Sequence, residues 1–154
     1  MSQTEAFVAA ITPLAERLAQ VDLSDPGAAQ SEIEAAFPFA GETVAAVRAL
    51  AEQGAAEGWL VPKEAGGVKF GRAAKDLAGF SVDVVSMNGP GPRHKHPNGE
   101  IDLCFTTSGA ATFDGHAQGW VIYGPDSVHV PTVADGAMVI VYFLPGGAIE
   151  FLKG

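Results

Sequence analysis

The spacing of apolar residues changes abruptly after Gly58, and few folds accommodate both halves of that change. Before it, Phe7, Ile11, Leu14, Leu18 and Val21 recur at steps of three and four, the stripe of an amphipathic helix. Ser2 and Glu5 stand at capping-box spacing, and Pro13 marks either the start of this helix or a kink in it. Asp25-Pro26 opens a second, short helix with Ile33, Ala36 and Phe37 on one face, and Pro38 ends it. A third helix is predicted from Glu42 to Glu57, with Val44, Val47, Leu50 and Ala51 inward and Gly58 as its terminal glycine.

After Gly58 the apolar runs shorten, and Gly and Pro punctuate them. Trp59–Val61, Val68–Ala73, Phe80–Met87, Ile101–Thr107, Ala111–Phe113, Trp120–Tyr123, Ser127–Val130, Ala137–Leu144 and Ala148–Leu152 read as strands. Gly66-Gly67, Asp114-Gly115 and Gly146-Gly147 read as turns between them. Many short strands at regular spacing predict a β-sandwich or barrel. The expected organisation is a helical segment over 1–58 packed on a β-barrel over 59–154.

Composition narrows the partners. A chain with 47% hydrophobic residues can bury a core, and its net charge of -9 repels nucleic acid and anionic membrane, leaving a small molecule as the expected partner. Cys104 is the single cysteine, so no intrachain disulfide can form, in keeping with a reducing cytoplasm. The first residues lack the basic start of a signal peptide, and no apolar run approaches a membrane span, so a cytoplasmic location is expected.

The stretch GPRHKHPNGEIDL carries the chemistry. His94 and His96 stand at i and i+2, and on a strand they point to one face. Glu100 follows a Pro97-Asn98-Gly99 turn that can swing its carboxylate back toward them. His129, after the turn in YGPDSVHVPT, is the candidate fourth ligand if its strand lies beside the first. Three imidazoles and one carboxylate suit a divalent transition metal: iron, manganese, nickel, cobalt or zinc. The competing reading of an H-x-H in a polar loop is a solvated pair of histidines.

This arrangement resembles the cupin superfamily, small β-barrels with a first motif G-x5-H-x-H-x3,4-E-x6-G and a second, G-x5-P-x-G-x2-H-x3-N. His94, His96 and Glu100 match the first. Gly89 and Gly91 stand off register from the expected leading glycine, one and three residues after its place, and Gly109 comes two residues late. In the second motif His129 fits, while Gly124, Asp126 and Val133 stand at the proline, glycine and asparagine positions. The segments EAGGVKFGR, HPNGEIDL, FDGHAQGWVIYGP and LPGGAIEF look like the small cupin-type 4-hydroxylaminobenzoate lyases of nitroaromatic degradation and their relatives of unassigned activity.

The resemblance implies a mainly β fold, a cupin-type jelly-roll barrel preceded by about three helices, commonly associated as a homodimer. It implies a lyase that turns 4-hydroxylaminobenzoate and water into protocatechuate and ammonia without nicotinamide or flavin. No G-x-G-x-x-G or P-loop lysine motif stands against that. Strand alternation from Glu100 puts Asp102 and Cys104 on the ligand face. Asp102 and Glu100 are the candidate catalytic carboxylates, with Asp102 as general acid/base or as support for a ligand histidine; a strand-end carboxylate in water is the alternative. Arg72 is the candidate for gripping the substrate carboxylate, and Tyr123 and Tyr142 for orienting the ring substituents. Arg93, Lys95 and His116 are expected at the surface, and Cys104 as a buried small hydrophobe. Two other functions fit the same ligands: a metal-dependent dioxygenase or oxidoreductase on a small aromatic, and a non-catalytic small-molecule-binding cupin.

Overall fold

The Ser2 and Glu5 spacing closes a reciprocal capping box in the computed structural model, which describes residues 2–153. Helix α1 (Gln3–Leu18) runs through Pro13, which is neither its start nor its end. The buried Phe7, Ile11, Leu14 and Leu18 anchor both sides of the one backbone bond that proline removes. Asp25 caps α2 (Pro26–Ala36) by accepting from the Ala28 amide, and α3 (Glu42–Glu57) ends on Gly58 in the left-handed conformation.

Nine strands follow among the described residues: β1 (Lys63–Ala65), β2 (Val68–Leu77), β3 (Phe80–Met87), β4 (His94–His96), β5 (Glu100–Phe113), β6 (Gly119–Tyr123), β7 (Ser127–His129), β8 (Val133–Pro145) and β9 (Glu150–Phe151). Strand β3 has the predicted bounds. The predicted Trp59–Val61 strand is not one; Leu60 and Val61 bury their side chains without a ladder, and Pro62 follows with no N–H to offer. The two runs Ile101–Thr107 and Ala111–Phe113 are a single strand, because shifts of register on either side of Ser108-Gly109 absorb the interruption as bulges. The three predicted glycine turns all have paired positive φ, as does a fourth, Ala78-Gly79, which joins β2 to β3.

The strands form two antiparallel sheets. The larger has the order β1-β2-β3-β8-β5-β6 and the smaller the order β7-β4-β9. Alternation splits the larger sheet into two faces. Val82, Ile101, Leu103, Trp120, Val141 and Phe143 turn outward and share one apolar core with Phe7, Ile11, Ile33 and Val47 of the helices. Met87, Cys104, Val121, Ile140 and Tyr142 turn inward toward the smaller sheet. This is a cupin-type jelly roll whose outer wall is covered by the N-terminal helices. The helices also bond to it directly: Gln30 donates to the Trp120 carbonyl and the Trp120 indole donates to the Phe37 carbonyl, each at 2.9 Å.

Candidate metal centre

Each element brings one kind of donor. Strand β4 is only three residues long, and its pleat sends His94 and His96 into the barrel while Lys95 faces out to Asp126. Strand β7 pairs with β4 so that His129 lies directly opposite His94. Glu100 starts β5 in the other sheet, just after Gly99. The positive φ of Gly99 and a would-be Cβ contact of 2.8 Å with the Tyr123 carbonyl reserve that turn position for glycine. The centre therefore spans the two sheets.

The donor atoms converge. One ligand atom from each of His94, His96, Glu100 and His129 lies within 4.8 Å of the others. The Nε2 atoms of His94 and His129 are 3.0 Å apart, and His96 Nε2 is 3.2 Å from Glu100 Oε1. The far side of two of the rings, His94 and His129, sets the tautomer. His94 Nδ1 donates to the Pro92 carbonyl at 3.0 Å and His129 Nδ1 to Asp114 Oδ2 at 2.6 Å, while His96 Nδ1 bonds the Ser127 hydroxyl at 2.9 Å. With Nδ1 protonated, His94 and His129 aim Nε2 lone pairs at one another. The buried His96 Nε2 and both Glu100 oxygens have no hydrogen-bond partner among the described residues. Acceptors crowded in this way need a cation between them. Bonds of about 2.1 Å from one ion set neighbouring donors about 3.0–3.4 Å apart, and four of the donor pairs here lie between 3.0 and 3.8 Å. The residues fit a divalent metal.

Burial alone would raise the Glu100 carboxyl, but His94, His96 and Asp102 together hold it down at about 2. Asp102 moves the other way, well above the carboxylate range, through burial first and the Glu100 charge second. Asp102 is 0% exposed and neither of its oxygens has a partner, so it is not a strand-end carboxylate in water. Cross-strand register aligns Arg72, Asp83, Tyr142 and Asp102 in one row across the larger sheet.

Arg72, Asp83 and Tyr142 of that row line a cavity of about 530 Å³, and Asp102 lies buried behind it. His94 and Glu100 line one part of it, Arg72 and Asp83 another, and Phe70, Val85, Met87 and Leu144 the apolar stretch. Arg72 grips Asp83 through Nε at 2.9 Å and Nη2 at 3.5 Å, so its fork already holds a carboxylate. Tyr142 lines the cavity with its hydroxyl 3.9 Å from Met87 Sδ. Tyr123 donates its hydroxyl to Asp114, which orients it toward the His129 support and not toward an open ring site. Cys104 is buried with its thiol pushed up by desolvation, and His116 is exposed. Arg93 is turned to the Lys153 carbonyl at 3.4 Å.

Two supporting residues escaped the sequence reading. Asp114 was read only as half of a turn, yet it accepts from Tyr123, His129 and the Thr132 amide, and these bonds outweigh burial to hold its carboxyl low. Ser127 bonds the Nδ1 of His96 through its hydroxyl. An acidic residue just before the glycine of a hairpin, on the barrel rim, was the available signal for the first.

The family model for 4-hydroxylaminobenzoate lyase (PnbB) matches residues 13–151. The chain belongs to the 4-hydroxylaminobenzoate lyase family. A 4-hydroxylaminobenzoate lyase from Pseudomonas putida is 28% identical over 131 residues, covering 71% of this chain and 74% of the relative. Another, from Nocardioides sp. (strain LMS-CY), is 29% identical over 118 residues, covering 68% and 70%. Among solved structures, an RmlC-like cupin protein from Ralstonia eutropha JMP134 aligns at a TM-score of 0.45 and 17% identity over 58% of this chain and 62% of that one. In this member of the lyase family, no helix among the described residues is long and apolar enough to cross a membrane.

Proposed function

We propose that this chain is a metal-dependent lyase converting 4-hydroxylaminobenzoate and water to 3,4-dihydroxybenzoate and ammonia, a step in nitroaromatic breakdown. One observation carries the reading: an apolar cavity of about 530 Å³, ample for an aromatic acid, joins a convergent three-histidine, one-glutamate donor set to a wall bearing Arg72. Family membership supports it independently.

The reaction balances without an outside oxidant. The N–O bond breaks and its oxygen leaves as water. A second water adds to the ring carbon ortho to nitrogen, and the resulting imine is hydrolysed by a third to release ammonia. The net consumption is one water, since one is released and two are taken up; nitrogen is reduced as the ring carbon is oxidised. A divalent metal held by His94, His96, Glu100 and His129 would supply Lewis acidity to the departing oxygen and lower the pKa of water. Asp102, buried beside Glu100 with no partner for either oxygen, is the group we assign to proton transfer during water addition. Tyr142 contacts the ring from the cavity wall, while Arg72, occupied by Asp83, adds only its charge to the wall that faces the carboxylate. The apolar stretch limits bulk water around the ring.

The test is anaerobic incubation of metal-assayed protein with 4-hydroxylaminobenzoate. Equimolar ammonia and 3,4-dihydroxybenzoate is the expected outcome. Product formed only with oxygen uptake would replace the lyase by a dioxygenase, and tight ligand binding without product would leave a binding protein.

A further inference from the structure

We propose that Lys63 is a specificity-determining residue, the free cation that selects aromatic acids and sets their direction in the cavity; this rests on the reading of the pocket as an aromatic-acid site. Lys63 on β1 stands opposite Phe70 on β2, and opposed residues of an antiparallel pair share a face. Phe70 and Arg72 are two apart on one strand, so Lys63 and Arg72 are diagonal neighbours on the cavity side, and both line it. Asp83 is the carboxylate on that wall, and Arg72 already holds it. Lys63 forms no ion pair among the described residues. Two cations against one carboxylate leave the wall positive, on a chain whose net charge is -9. Such a local reversal of sign attracts an anion that the rest of the surface repels.

The far end is taken up by the donor set: His94 and Glu100 line it, and Asp102 lies buried beside Glu100. In the row Arg72, Asp83, Tyr142, Asp102, three strand spacings separate the first residue from the last, about 14 Å between backbones. The cavity of about 530 Å³ between them accommodates an aromatic acid. A para-substituted benzoate therefore lies with its carboxylate at Lys63 and its nitrogen substituent at the histidines. Lysine suits the task because its ammonium is a mobile point charge that can follow the ligand, whereas the Arg72 fork is fixed on Asp83.

The experiment is calorimetric titration of the metal-loaded full chain with 4-aminobenzoate and with 4-aminobenzamide, which has the same shape without the charge. Neither carries an N–O bond, so neither turns over. The wild-type chain is expected to prefer the acid. K63M is expected to lose about tenfold in acid affinity, the scale of one charge-assisted hydrogen bond, with the amide unchanged, and K63R to recover most of the loss. Equal binding of the two ligands by the wild-type chain, binding of neither, or K63M with undiminished acid affinity overturns the assignment. A chain that discriminates acid from amide through Lys63 but releases no ammonia from 4-hydroxylaminobenzoate keeps this inference and loses the lyase reading. Turnover without acid selectivity does the reverse.

Discussion

Asp114 shows how one side chain can fix a site it does not belong to. It sits at φ 49 in a two-residue turn with Gly115, and from there accepts bonds from Tyr123, His129 and the Thr132 amide. The His129 bond keeps the proton on Nδ1 and the Nε2 lone pair on the centre. D114A is expected to weaken metal binding about 10- to 100-fold, read by competition with a chelator of known affinity, and D114N less, since its amide oxygen still accepts one bond. Unaltered metal affinity in D114A would remove the positioning role. At the opposite end of the barrel Ala78 occupies the left-handed region at φ 54 without a functional contact to justify it. Asparagine tolerates that conformation better, so A78N is expected to stabilise the fold by about 0.5–1 kcal/mol, read from the denaturant midpoint. The ligand residues were legible because a short strand keeps i and i+2 on one face. Asp114 and Ser127 were not, because their partners lie across the rim from them in space and the sequence holds no period that connects the two.

At the scale of elements, the helices were legible from their caps and stripes, and β3 from the alternation of Phe80, Val82 and Val84 with Ser81 and Asp83. What the sequence obscured was continuity. Gly109 resembles a strand end, but β5 continues through it as a bulge, and the apolar Trp59–Val61 segment packs without a ladder. The helices and the sheet also share one core: Phe7, Ile33 and Val47 pack in the same cluster as Val82, Leu103 and Phe143. Removing residues 2–58 would expose the outer face of the larger sheet, a contiguous apolar surface of the kind that drives aggregation. A chain of 59–154 alone is expected to be insoluble or molten, with ANS bound and near-UV circular dichroism lost. A soluble fragment with native near-UV dichroism would mean that the barrel holds its fold without the helices.

At the scale of the whole molecule, the candidate metal centre lies between the two sheets, which the His129–Asp114 bond already links at the rim. His94, His96 and His129 belong to the smaller sheet and Glu100 to the larger, so a cation bound by all four ties one to the other. Without it, inward-facing lone pairs oppose one another at 3.0 Å and buried carboxylate oxygens lack partners. A metal held only by the folded arrangement would stabilise it by mass action: about 2.7 kcal/mol when free metal is 100-fold above its dissociation constant. For a chain of this length that corresponds to a melting shift of about 5–10 °C. Chelation is expected to lower the midpoint by this amount and re-addition of metal to restore it. H129A removes one donor and is expected to melt at nearly the same temperature with and without chelator. The pairing of these two results separates a cross-sheet metal tie from a general effect of the chelator. A wild-type midpoint that ignores chelator, with no metal found in the purified protein, would mean that the four side chains converge for some reason other than holding an ion.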